Sequence, residues 1–175
     1  MNSPKLHEAD TVALIRPGID QFSPVTAEMQ YYRNLDTIID EVHGLFEGWE
    51  KQLQTYKTFS IETLHLAKLA VHEWVANLLQ HADFQNRLPE IGVCLSPTDD
   101  KLWCVIEDNS EGFNLEGYLK DHPKVTMVLP DRGMGLLMLR SCTEELRYEK
   151  LQSGKQHLEF YVSSNQDPHL DIPFS

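Results

Sequence analysis

Residues Leu64 to Ala82 read LHLAKLAVHEWVANLLQHA, and this stretch decides the fold. Leu64, Ala67, Val71, Trp74, Val75 and Leu78 recur at three- and four-residue spacing, which predicts an amphipathic helix whose apolar stripe is buried against another layer. Glu73, Asn77 and His81 recur every four residues in the same helix. A helix turns about 100° per residue, so four-residue steps drift by only about 40° and set the three polar groups along one stripe. Ser60 is placed to cap the helix start.

On the N-terminal side, Ile38, Ile39, Val42, Leu45, Phe46 and Trp49 have the same periodicity. They predict a helix from Leu35 to about Leu53, capped by Asn34, with a strand within Thr26 to Arg33 before it. On the C-terminal side, Ile91 to Leu95, Leu102 to Glu107, Leu146 to Leu151 and His157 to Ser163 read as strands. The last two are joined by the hairpin chemistry of Gln152-Ser153-Gly154-Lys155. A further helix is expected from about Gly133 to Thr143, while Asn114 to Pro130 carries few signals. Runs of helices and hairpin-linked strands without regular alternation indicate an α/β (α+β) two-layer sandwich, with a mostly antiparallel mixed sheet covered on one face by helices. One domain is expected over residues 25–163, between an extension at 1–24 containing Pro4, Pro17 and Pro24 and a tail at 164–175.

The composition narrows the function. A net charge of −12 argues against nucleic-acid binding, which needs clustered Lys and Arg, and favours a protein partner. No run approaches the roughly 20 apolar residues of a membrane span, and the N-terminus lacks a signal-peptide pattern, so the expected location is the cytoplasm. Cys94, Cys104 and Cys142 are odd in number and none forms Cys-x-x-Cys, which favours structural thiols. The eight histidines form no zinc-binding pair beside a carboxylate.

Four features carry potential chemistry. Glu73 lies on a partly apolar face beneath Leu66 and Ala70, a setting that disfavours a carboxylate's charge and suits a general base. Asn77, one turn on, offers an oxygen to a hard cation such as Mg²⁺, whereas His81 suits the dipole and last carbonyls of a helix end. Asp108 ends an apolar strand and opens Asp-Asn-Ser-Glu-Gly. There it either accepts a hydrogen bond from an exocyclic amine such as adenine N6 or initiates an Asx turn. Gly133 and Gly135, with Arg132 beside them, let a helix N-terminus approach an anion.

In this order the residues resemble the GHKL ATPase superfamily, and in particular the anti-sigma-factor serine kinases. Glu73-Trp-Val-Ala-Asn77-Leu-Leu-Gln-His81 is similar to their N box, Asp108-Asn-Ser-Glu-Gly112-Phe113-Asn114 to the G1 box, and Arg132-Gly133-Met134-Gly135-Leu136 to the G2 box. The resemblance covers about residues 26 to 163. It implies a protein serine kinase that uses Mg²⁺ and ATP, phosphorylates a small anti-sigma antagonist protein, sequesters a sigma factor and forms a homodimer. Glu73 would be the catalytic base and Asn77 the Mg²⁺ ligand. Nucleotide would be contacted by Asn77, His81, Asp108, Gly112, Phe113, Arg132, Gly133, Met134, Gly135 and Leu136, with Asp108 reading adenine and Asn114 to Pro130 forming the lid. Two positions depart from the family pattern. Ser110 stands where G1 has its first glycine, which predicts a narrowed pocket or a strained backbone, and Asp131 adds a negative charge before the Gly-x-Gly. Those departures define an alternative, a non-catalytic protein-binding switch. A histidine-kinase catalytic domain fits less well, because His43 in the first helix lacks the acid-proline signature.

Overall fold

The computed structural model describes residues 28–56, 60–98, 101–121 and 134–163. The elements run β1 (Gln30–Tyr32), α1 (Ile38–Tyr56), α2 (Ile61–His81), β2 (Ile91–Pro97), β3 (Lys101–Asp108), α3 (Leu115–Asp121), α4 (Met134–Cys142), β4 (Glu144–Lys150) and β5 (Gln156–Ser163). The strands form one sheet in the order β1-β2-β3-β5-β4, and all four pairings are antiparallel. This α+β sandwich, an antiparallel sheet layered with helices, matches the fold class expected from the pattern of elements.

The helices form as their residues dictate. The Ser60 hydroxyl accepts a hydrogen bond from Thr63 N at 3.2 Å and caps α2. The α2 stripe of Leu64, Ala67, Val71, Trp74, Val75 and Leu78 is buried throughout. It meets Ile38, Val42, Phe46 and Trp49 of α1 and the inward row of the sheet, which includes Ile91, Val93, Leu102, Cys104, Ile106, Leu158 and Phe160. Burial of each large apolar side chain contributes about 1.5–3 kcal/mol, so this layer contact holds the two helices against the sheet.

Several boundaries differ from expectation. Asn34 does not cap α1 directly. Its Oδ1 accepts from Asp36 N at 3.1 Å in a turn, and α1 starts at Ile38 after Thr37, whose hydroxyl reaches Glu41 Oε1 at 2.5 Å. β4 begins at Glu144, two residues before the apolar pattern starts, because a bulge between Glu144 and Arg147, with Glu145 at φ 52°, resets the register. Asn114 starts the unanticipated α3: its Oδ1 accepts from Gly117 N at 2.9 Å, and buried Leu115 anchors the first turn. The second face of the sheet is also buried at Cys94, Trp103, Val105 and Tyr161, which explains why β2 and β3 read as nearly continuous apolar runs.

Among the described residues no helix is long and apolar enough to cross a membrane. The extension at 1–24, the tail at 164–175, residues 122–130 of the expected lid, and Asp131, Arg132 and Gly133 lie outside the described residues.

Candidate functional site

Four segments distant in sequence surround one cavity of about 730 Å³, a size suited to a nucleotide-sized ligand. From α2 come Glu73, Trp74, Asn77 and His81, from the loop after β3 come Ser110, Gly112 and Phe113, from α4 come Gly135 and Leu136, and from β4 comes Tyr148. The four-residue stripe on α2 therefore faces the cavity while the Val71 and Val75 side of the helix faces the sheet.

Asn77 is oriented before any ligand arrives. Its Nδ2 donates to the Glu73 carbonyl at 2.8 Å, and Oδ1 of this half-buried amide remains an acceptor. Glu73 is half buried and lies against the first turn of α4. A Cβ built on Gly135 would stand 2.3 Å from Glu73 Oε2 and 3.3 Å from Asn77 Nδ2. Only a residue without a side chain allows that approach, and it carries the N-terminal end of α4 to the carboxylate–amide pair. Met134 opens α4 in the backbone, and Leu136 is buried at the cavity wall. His81 is exposed at the end of α2, and Phe113 is 46% exposed at the rim.

The loop after β3 is tightly braced. Asn109 spans it to the α2–β2 connection: its Oδ1 accepts from Glu90 N at 2.8 Å and its Nδ2 donates to Leu88 O at 2.8 Å. Glu111 N donates to Asp83 O at 2.9 Å, and Arg87 pairs with the Glu111 carboxylate. Gly112 has φ 93°, a left-handed conformation, and a Cβ there would press on the Gln156 side chain at 2.7 Å. Gln156, opposite Asp108 in the β3–β5 register, donates to Ser110 O at 3.3 Å.

Asp108 is 1% exposed and is not among the residues lining the cavity. Its Oδ1 accepts from Ser110 N at 2.9 Å and from the Ser110 hydroxyl at 2.5 Å, an Asx-type turn. Ser110 Oγ also accepts from Gly112 N at 3.2 Å. Ser110 is thus interposed between the aspartate and the cavity. The expected strain at Ser110 is not found, because among the described residues Gln85 and Glu145 are the only non-glycines with positive φ. Burial pushes the Asp108 carboxyl up from its usual value, and the two Ser110 hydrogen bonds oppose the shift.

Tyr148 and Trp74 are among the lining residues that sequence reasoning missed as such. Trp74 reads as core from its place in the apolar stripe, and Tyr148 as an ordinary strand residue. The two rings meet edge to face, with centroids 5.2 Å apart at 64°. Burial, and next the charge of Asp108, push the Tyr148 phenol up to about 12. The Phe113 backbone pulls the other way, but its geometry falls short of a hydrogen bond, and the buried hydroxyl has no partner.

The chain is similar to several known proteins. A family described as the histidine kinase-like ATPase domain matches residues 40–161. The chain is 30% identical over 102 residues to serine-protein kinase RsbW of Staphylococcus epidermidis, a match covering 54% of this chain and 63% of the relative. It is 28% identical over 94 residues to serine-protein kinase RsbW of Oceanobacillus iheyensis, covering 51% of this chain and 60% of that one. The chain thus spans less than two thirds of the length of these relatives. A solved structure of a mycobacterial sensor histidine kinase, MprB, superimposes with a TM-score of 0.41 at 14% identity, over 79% of this chain and 97% of that one.

Proposed function

The chain belongs to the histidine kinase-like ATPase domain family of GHKL type, and from that premise we propose that it is a Mg²⁺-ATP-dependent protein serine kinase of anti-sigma-factor type. Its substrate in this reading is a small anti-sigma antagonist protein, and a sigma factor is a second partner that it sequesters as a homodimer in the cytoplasm. The ATP-binding unit comprises residues 25–163. Similarity to two serine-protein kinases supports the class of acceptor.

The observation that carries this reading is the meeting of Glu73 and Asn77 with Gly135 and the Ser110–Phe113 loop around one cavity. Phosphoryl transfer depends mainly on positioning and on neutralising charge. The residues fit a hard cation and phosphates: Asn77 presents an oxygen, and the α4 N-terminus approaches where Gly135 leaves room. Mg²⁺, held by Asn77 and by phosphate oxygens, would supply charge neutralisation. Glu73 then orients the acceptor serine and takes its proton. Gly112, Phe113, His81 and Leu136 shape the nucleotide pocket together with Asp108 behind Ser110, and the family resemblance adds Arg132, Gly133 and Met134 to the nucleotide contacts.

Glu73→Gln tests the assignment. Transfer of labelled γ-phosphate from ATP to an antagonist serine should fall by at least about 100-fold, the range of a general base, while calorimetric ATP affinity stays within about threefold. Equal transfer rates in parent and variant remove Glu73 from the chemistry. A second reading, a protein-binding switch without catalysis, draws on the burial of Asp108 behind Ser110. It predicts no binding heat with millimolar Mg²⁺-ATP.

A further inference from the structure

A pair of histidines joins α1 to α2 away from the cavity. His43 Nε2 and His72 Nδ1 share a hydrogen bond of 3.1 Å, and the two rings stack with centroids 5.2 Å apart at 24°. Both imidazoles are half buried. In sequence His43 follows buried Val42 and His72 follows buried Val71, so the pair sits at the margin of the apolar packing that holds the helices together. The α2 helix therefore has three working sides: Val71 and Val75 meet the sheet, Glu73 and Asn77 meet the cavity, and His72 meets α1. An imidazole accepts a hydrogen bond only through an unprotonated ring nitrogen. The His43–His72 bond is thus compatible with two neutral rings, or with one charged ring donating to a neutral one. With both rings charged, two N–H groups would face each other and two positive charges would meet at the same distance.

We propose that this pair is an acid-sensitive clasp between α1 and the helix that carries Glu73 and Asn77. The clasp holds while the two rings carry no more than one proton between them, and it opens when a second proton arrives. It does not depend on the ATP-site reading. The charges that face His43 come from both helices. Asp40 and Glu47 on α1 favour its protonation, while Lys68 and His72 on α2 oppose it. Burial first, and then Lys68 and His72, hold the His43 imidazole below its ordinary 6.5, with the two carboxylates offsetting only part of the effect. The direction of the response follows from linkage. A histidine whose folded-state pKa lies below its unfolded value contributes stability that is fully present above about pH 6.5 and is lost as pH falls through the folded value.

The test is a pH titration of the full chain followed by NMR of the imidazole nitrogens, in the parent, His43→Gln and His72→Gln. In the parent the two rings should titrate as a unit, in two steps at least about one pH unit apart, which is a tenfold difference in proton affinity. Each glutamine variant should leave the remaining imidazole with a single step, at a higher pH than the second step of the pair. Urea denaturation gives the second readout. A cycle of parent, both single variants and the double variant cancels the contributions of the other histidines. It should show a favourable coupling between positions 43 and 72 at pH 8 that vanishes or reverses at pH 5. Independent single-step titration of the two rings in the parent overturns the clasp. A coupling equal at pH 8 and pH 5 also overturns it, in favour of a contact that serves packing alone. The titration of the parent decides the matter even where a variant does not fold.

Discussion

Gly135→Ala concentrates the claim about the site in one methyl group. The added Cβ would stand 2.3 Å from Glu73 Oε2, whereas ordinary contact begins at 3.4 Å, so the carboxylate must retreat by 1.1 Å, the difference between those distances. The obstructing atom is the free end of a flexible side chain, so the backbone need not move and the fold should tolerate the change. Alanine is favoured over glycine within a helix by about 1 kcal/mol and also lowers the entropy of the unfolded chain. Stability should therefore stay level or rise slightly. Function should not, because a misplacement of about 1 Å at a reacting group costs about 100-fold. The assay pairs a thermal or urea melt with labelled-phosphate transfer from ATP to an antagonist serine. The expected result is an intact fold with transfer reduced by about two orders of magnitude. Gly135→Ala with parental stability and transfer within about threefold of the parent would show that Glu73 does not act from the position it holds against α4.

Two further outcomes test single contacts in the fold, one beside the cavity and one on the second face of the sheet. Ser110→Ala removes the hydroxyl that bonds buried Asp108 and accepts from Gly112 N, so urea denaturation should give a stability lower by about 1–3 kcal/mol, and an unchanged midpoint would mean the bond contributes nothing. His157, on the second face of the sheet, has its pKa raised above the ordinary 6.5, first by its hydrogen bond to Glu107 at 3.1 Å, against the opposing effect of burial, and further by Glu159 and Glu149. A raised folded-state pKa gives stability that is fully present below about pH 6.5 and is lost as pH rises through the folded value. Denaturation midpoints should therefore fall between pH 6 and pH 8 more in the parent than in His157→Gln, and parallel profiles would remove this pair from the pH dependence.

Much of the fold was legible because its signals are local. The helical stripe of α2, the Ser60 cap and the Gln152–Lys155 hairpin each depend on neighbouring residues, and each forms as read. The misreadings arose where a distant contact overrides local pattern. The bulge at Glu144–Arg147 moves the start of β4 ahead of its apolar alternation, and α3 depends on the single Asn114 cap and buried Leu115 within a polar stretch. For the site, Glu73, Asn77 and His81 could be aligned from helical geometry alone, and Gly135 could be suspected from its place before an apolar helix. Trp74 and Tyr148 could not be singled out, since their apolar bodies satisfy the core pattern and only the unpaired polar tips mark them.

The amino-acid order by itself determined which residues share a face, because side-chain direction follows from the covalent repeat of helix and strand. It thereby set Glu73 and Asn77 one turn apart and put Gly135 at a helix start. Only the tertiary structure decided what those faces meet. Pairing β5 between β3 and β4 brings Tyr148 within reach of the Asp108 charge, the packing of α4 on α2 sets Gly135 against Glu73, and the turn after β3 interposes Ser110 before the aspartate. Such convergence is a property of chain reversal and layer packing, and no periodicity encodes it.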